Sequence, residues 1–341
     1  MSEVAPMPTQ DDQAPTGTLA EETTATAERQ LSPEEKAEIF RTAVEGGVYA
    51  ALEIVAERFE RSPDKKNNLP FHNTLHTEDV IRRFETLVDA IRAVDPSLVD
   101  DRSRAVGRFA AAHHDTVQNW EPTEAPSKTL GEEGLIAVMR KRFVGANEAA
   151  STAGALALMD KANEEAGTEI FTDEDRGMIA GGHDATIPGF NPQKGTVIQP
   201  NLNEQSSIIT RAIALADLGT AGIDGKEKYL PEGDALFREE NMDIAEAVEN
   251  PASLTPQQKA FYTRRMLGWS QFQEKFAAGR KAMLEEELFP LPPDARKAVE
   301  ALFTKFDESA EGAREQAARR ANLSFEELAK DMGYTLGGVR E

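Results

Sequence analysis

The chain contains no cysteine. That excludes disulfide bridges, thiolate metal sites and cysteine nucleophiles together, and leaves nitrogen and oxygen to hold any metal. Positive charge is also in short supply: 38 Lys and Arg face 60 Asp and Glu, for a formal charge of −22. Such a chain does not attract a nucleic-acid backbone, because that binding rests on cations facing phosphates. A single small phosphate ester stays compatible, since a bound metal ion reverses the local field. No window approaches the roughly 18 to 20 apolar residues of a membrane span, and the first residues lack the basic-then-apolar order of a secretory signal. We therefore expect a soluble, cytoplasmic protein with neither nucleic-acid nor membrane partners.

What is present is organised around helices. Residues 1–30 carry six acidic residues against one Arg and no aromatic side chain, so they are expected to form a disordered acidic tail. A main helical domain is expected over 31–290, starting at "LSPEEKAEIF", where Ser32 can cap, Pro33 suits the first turn and Glu35 completes a capping box. Val80, Phe84, Leu87, Val88, Ile91 and Val94 follow helical spacing and stop at Asp95-Pro96. Ile208, Ile209, Ala212, Ile213 and Ala216 form a second stripe, and Phe261, Leu267, Phe272 and Phe276 a third. No alternating strand pattern with hairpin turns stands out. Asp184–Asn201, rich in Pro and Gly, reads as a long irregular loop of the kind that covers a site. After Pro290 a C-terminal helical extension is expected over 291–341, including a capped helix in "LSFEELAKDMGYTL".

Histidine is scarce, with five in 341 residues, and its placement is informative. In "LPFHNTLHTEDVIRRF", His76 continues the face of Val80, Phe84, Leu87 and Ile91, at the inner end of an apolar stripe. In "AVGRFAAAHHDTVQNW", His114-Asp115 follows small residues that permit close helix approach. In "SSIITRAIALADLGTAG", Asp217 lies four residues beyond Ile213 and eight beyond Ile209. A carboxylate on such a stripe is costly unless paired or metal-bound. Two imidazoles and two carboxylates make a mixed site suited to Mn, Fe, Zn, Ni or Mg.

The ordered set His76, His114-Asp115 and Asp217 resembles the metal-ligand pattern of the HD-domain metal-dependent phosphohydrolase superfamily. "FHNTLHTEDV" is similar to the "YHN..H..DV" element of cyclic-nucleotide phosphodiesterases and several bacterial HD proteins, with Phe71 in place of tyrosine. The resemblance spans Pro70 to Gly222. It implies an all-α, HD-domain-like bundle with one or two divalent ions held in its core by His76, His114, Asp115 and Asp217. It also implies hydrolysis of a small phosphate ester, a nucleotide or related phosphometabolite, by an activated water. His72 is then the general acid that protonates the leaving oxygen, and Asp115 is catalytic as well as ligating. His183 occupies a place where related proteins often have a histidine that meets substrate or a second ion. Glu148 in "NEAAST" resembles an "NE..S" element of some bacterial HD proteins and is a candidate to meet substrate, and Lys194 and Arg211 are candidates to clamp phosphate. His113, about 100° around the helix from His114, is expected to be structural.

Gln118 departs from the pattern, standing where those phosphodiesterases carry a further histidine, so a second ion would need His183 or Glu148. His183-Asp184 is a competing His-Asp pair, ranked lower for its short spacing to Asp217. The alternative functions are a non-catalytic module for nucleotide sensing or interaction and, with more histidine ligands required, a di-iron oxygenase.

Overall fold

Helix formation starts where the sequence caps it. The Ser32 side chain accepts from the Glu35 amide and the Glu35 carboxylate accepts from the Ser32 amide, opening α1 (Pro33–Val55). The computed structural model describes residues 31–337. The acidic tail expected over residues 1–30 lies outside the described residues.

Asn73 caps α2 (Thr74–Val94) by accepting from the His76 amide, and the helix stops at Asp95 as the following proline requires. α3 (Asp101–His113) ends against the His-Asp pair. Then come β1 (Trp120–Pro126), β2 (Ile136–Arg142), α4 (Ala146–Ala166), α5 (Asp173–Thr186), β3 (Gly189–Asn191), β4 (Thr196–Ile198) and α6 (Ile208–Asp217). Beyond them lie α7 (Thr220–Ile223), α8 (Lys226–Glu240), α9 (Met242–Ala247), α10 (Pro256–Leu288), α11 (Pro293–Glu300), α12 (Phe306–Arg320) and α13 (Phe325–Asp331). The architecture is mostly helical. No described helix is long and apolar enough to cross a membrane.

α2, α3, α5 and α6 pack on one another, with α1 on α3 and α4 on α5. Their shared core includes Phe84, Leu87, Ile91, Phe109, Ile179 and Ile213, each at most 2% exposed. Full burial of such side chains is worth about 1.5–3 kcal/mol apiece. Two glycines set the closeness of approach. A Cβ on Gly107 would stand 2.3 Å from Phe84 Cζ and 2.8 Å from Ile209 Cγ2, and one on Gly182 would stand 2.6 Å from Ile213 Cδ1. The expected stripe of α2 is buried as far as Ile91, but Val94 is exposed because the last turn passes beyond the core.

Two expectations are corrected. The chain forms two antiparallel hairpins, β1 with β2 and β3 with β4. β1 shows no alternation because most of its residues are exposed on both faces. The segment Asp184–Asn201 is not one irregular loop: its first residues finish α5 and its middle forms β3–β4, which packs on α10. After Pro290, Leu291, Val299, Phe303 and Phe306 join the main core, with α11 on α2 and α12 on α10 and α8. A second, smaller core gathers Phe237, Ile244, Met266 and Leu328 from α8, α9, α10 and α13.

Candidate metal centre

Three elements meet around four side chains. The Asn73 cap places His76 in the first turn of α2, the end of α3 delivers His114 and Asp115, and α6 ends on Asp217. Arg83, fully buried on α2, donates to Ala216 O at 2.7 Å and Asp217 O at 3.3 Å, which fixes the end of α6 against α2.

His114 Nδ1 donates to Ala111 O at 2.8 Å, so Nδ1 keeps its proton and Nε2 is the nitrogen turned to the cluster. That Nε2 lies 3.0 Å from Asp115 Oδ2 and 3.7 Å from Asp217 Oδ1. His76 Nε2 lies 3.5 Å from Asp115 Oδ2 and 3.6 Å from Asp217 Oδ1. Around a four-coordinate ion with bonds of about 2.0–2.2 Å, donor atoms stand roughly 3.3–3.6 Å apart. One ligand atom from each residue falls within 4.8 Å of the others, so the group could hold a metal ion. His76 Nδ1 and Nε2 and His114 Nε2 are buried without hydrogen-bond partners. A buried polar atom left so costs about 1–3 kcal/mol, and a cation filling the cluster removes that cost.

Two glutamines orient the carboxylates. Gln118 Nε2 donates to Asp115 Oδ1 at 2.7 Å, and Gln199 Nε2 reaches Asp217 Oδ2 at 3.4 Å. Each amide takes the outer oxygen and leaves the inner one to the imidazoles. Burial opposes ionisation of all four residues, yet their mutual attraction prevails. His76 is raised and His114 raised well above the usual histidine value by Asp115 and Asp217, while Asp115 is held well below, and Asp217 below, the usual carboxylate range. An incoming ion must therefore displace protons from the imidazoles.

His72 stands beside the cluster. Its Nδ1 lies 2.5 Å from Glu239 Oε1, and Glu239 Oε2 accepts the Phe71 and His72 amides at 3.1 Å each. Burial pushes the Glu239 carboxyl up, but the His72 ring and amide, with the charge of Arg142, hold it below its usual value. His72 Nε2 then points toward Asp115 Oδ2, 3.8 Å away. A cavity of about 280 Å³ opens on His72, Asp115 and Asp217, and Trp269, Phe272 and Phe276 also line it.

Comparison with family models, curated proteins and solved structures finds no match for this chain.

Of the other residues singled out by sequence, Glu148 lines the cavity, with Oε2 accepting the Gly145 amide at 2.5 Å. Its neighbours Asn147 and Ser151 hold the segment after Asp115 through Asn119 and Val117. His113 donates from Nε2 to Gly47 O at 3.0 Å, faces Phe109 and is pushed down to about 4 by burial.

Three of the candidate residues lie away from the cavity lining. His183 does not face the cavity: Nε2 donates to Ala110 O at 3.0 Å and Nδ1 meets Thr152 Oγ1 at 2.9 Å, so both ring nitrogens are engaged inside the protein. Its neighbour Asp184 binds Asn201 instead of the cluster. Lys194 sits in the β3–β4 turn and pairs with Glu286. Arg211 is buried on α6 and donates to Glu287 O and Asn203 O. Both cations line a depression separate from the cavity.

Sequence reasoning missed Glu239, Gln199, Glu240 and Arg142. Glu240 lines the cavity with its carboxyl pushed up to about 7 by burial and by Glu239. The signal was faint: Glu239-Glu240 closes α8, whose Tyr229, Gly233 and Phe237 are buried at helical spacing.

Proposed function

We propose that this chain is a metal-dependent phosphohydrolase of the HD type, acting on a nucleotide or related phosphometabolite. The observation that carries this reading is a buried His2Asp2 cluster, with unpartnered imidazole nitrogens, opening on a cavity that also receives an oriented histidine. A divalent ion held by His76, His114, Asp115 and Asp217 would supply Lewis acidity toward a phosphoryl oxygen and lower the pKa of a water.

The remaining work falls to this chain's own groups. Glu239 fixes His72 through Nδ1, which turns Nε2 to pass a proton toward the leaving oxygen. Gln118 and Gln199 keep the carboxylates turned inward. Trp269, Phe272 and Phe276 exclude water and suit an apolar or aromatic portion of the ester. The di-iron alternative would need more imidazoles, and His113 and His183 are engaged elsewhere.

The test is turnover of a panel of phosphomonoesters, cyclic nucleotides and nucleoside triphosphates with each candidate ion. Wild-type protein is expected to hydrolyse at least one class. His72→Asn is expected to retain its ion and lose about 10²- to 10⁴-fold in rate, less for a nitrophenolate leaving group that departs without protonation. Loss of the ion in His72→Asn would instead make His72 a ligand. Full activity in that variant would remove the acid role.

A further inference from the structure

The cavity beside the cluster is lined by five carboxylates, Asp115, Glu148, Asp217, Glu232 and Glu240, and among the described residues by one arginine and no lysine. That residue is Arg142, the last of β2 and directly opposite Trp120. We propose that Arg142 binds the phosphoryl group of the substrate, its guanidinium taking the non-bridging oxygens beside the four-residue cluster. This assignment rests on the phosphohydrolase reading and names the group that receives the anion.

Among the described residues no hydrogen bond engages the guanidinium, although its charge acts on Glu239 and Glu240. Its Nε is buried without a hydrogen-bond partner. The carboxylate nearest to it, Asp115 Oδ1, is 4.0 Å from Nη2 and already accepts from Gln118 at 2.7 Å. Other interior arginines keep an unpartnered nitrogen too, Arg83 and Arg140 among them, but each is anchored through its remaining nitrogens: Arg83 by Ala216 O, Arg211 by two carbonyl oxygens, and Arg320 by Asp234 and Asp331. Arg140, two residues earlier on the same face of β2, donates to Lys66 O and lies 4.2 Å over the Trp120 ring. Arg142 alone of that pair lines the cavity.

Its position is also constrained. Asn147 grips Asn119 through both amide and carbonyl, and Ser151 accepts the Val117 amide, so the base of the β1–β2 hairpin is tied to α4. A planar fork held at a cavity wall matches the paired oxygens of a phosphoryl group better than a point charge does. It also offsets the repulsion that so many carboxylates would exert on an anionic substrate.

The test is calorimetric titration of inorganic phosphate into the manganese-loaded full chain, with metal content and melting temperature measured for each variant. Arg142→Gln is expected to weaken phosphate binding about 10- to 100-fold with metal content unchanged, and Arg142→Lys to fall between, keeping charge without the fork. Wild-type affinity in Arg142→Gln, or no phosphate binding by the wild type, overturns the assignment. Ester hydrolysis by a wild type whose phosphate affinity ignores Arg142 would remove only this residue's role. Arginine-dependent phosphate binding without hydrolysis of any ester would remove only the phosphohydrolase reading. Should Arg142→Gln fail to fold, phosphate protection of Arg142 from phenylglyoxal, read by mass spectrometry on wild-type protein, is the second measurement; absence of protection overturns the proposal.

Discussion

Adding a divalent ion to metal-free protein should raise its melting temperature by a calculable amount. An ion that binds only the folded state at a hundredfold excess over its Kd stabilises by about 2.7 kcal/mol, and at a thousandfold excess by about 4.1 kcal/mol. A chain of this length has an unfolding entropy of about 0.6–0.7 kcal/mol/K, so the shifts are about 4 and 6 °C. The pH dependence has a definite sign. His76 and His114 are raised above the unfolded value by Asp115 and Asp217, so in the metal-free protein their contribution to stability is present below about pH 6.5. It is lost as pH rises through the raised folded values. Ion binding requires those protons to leave, so the ion-induced shift grows over the same rise. Metal-free and metal-loaded melting temperatures should therefore diverge as pH rises above about 6.5 and through the raised histidine values. Differential scanning calorimetry with Mn, Fe, Zn, Ni and Mg in turn, after chelator treatment, measures this. His114→Ala and Asp217→Ala should abolish the shift, whereas His113→Ala should preserve it on a lower baseline. The reasoning is refuted if no ion moves the wild type, or if His114→Ala responds as the wild type does.

Gln118→Leu should weaken ion affinity about 10- to 100-fold by releasing Asp115 Oδ1, read by equilibrium dialysis; unchanged affinity would show that the amide does not orient the carboxylate. Acid should destabilise through the buried neutral histidines His113 and His183, whose values burial pushes down to about 4 and about 3. Because their folded values lie below the unfolded one, stability present above about pH 6.5 is lost as pH falls toward those values, at about 1.4 kcal/mol per unit and so roughly 3 kcal/mol for His113. Urea midpoints for His113→Gln should show a shallower decline between about pH 6.5 and pH 4, and an unchanged slope would discount that residue. Gly107→Ala should cost about 1–3 kcal/mol by forcing Phe84 and Ile209 aside, and an unaltered melting temperature would mean that α3 yields freely.

Local signals were legible wherever a residue answers to its own neighbours in sequence. The Ser32–Glu35 capping box, the stop of α2 at Asp95 and the stripe of α6 all depend on side chains within a few positions of the backbone they serve. His76, His114, Asp115 and Asp217 were legible for a related reason. Each interrupts an apolar surface, and a buried charge demands a partner, so their grouping could be expected before their distances were known. Which cations and hydrogen-bond partners reach that group was decided only in three dimensions. Glu239 meets His72 across 167 positions of chain, and Gln199 reaches Asp217 from a segment without helical pattern. Arg211 and Lys194 look like free cations in sequence, yet packing of the α10 end beside them supplies Glu287 O and Glu286. His183 is diverted by the carbonyl of Ala110, 73 positions away. The β1–β2 hairpin, with most of β1 exposed on both faces, has no buried stripe to betray it, and its register exists only in the pairing with its partner strand. Periodicity specifies which side of an element turns inward, whereas the atoms waiting there belong to other elements and are set by how the helices close on one another.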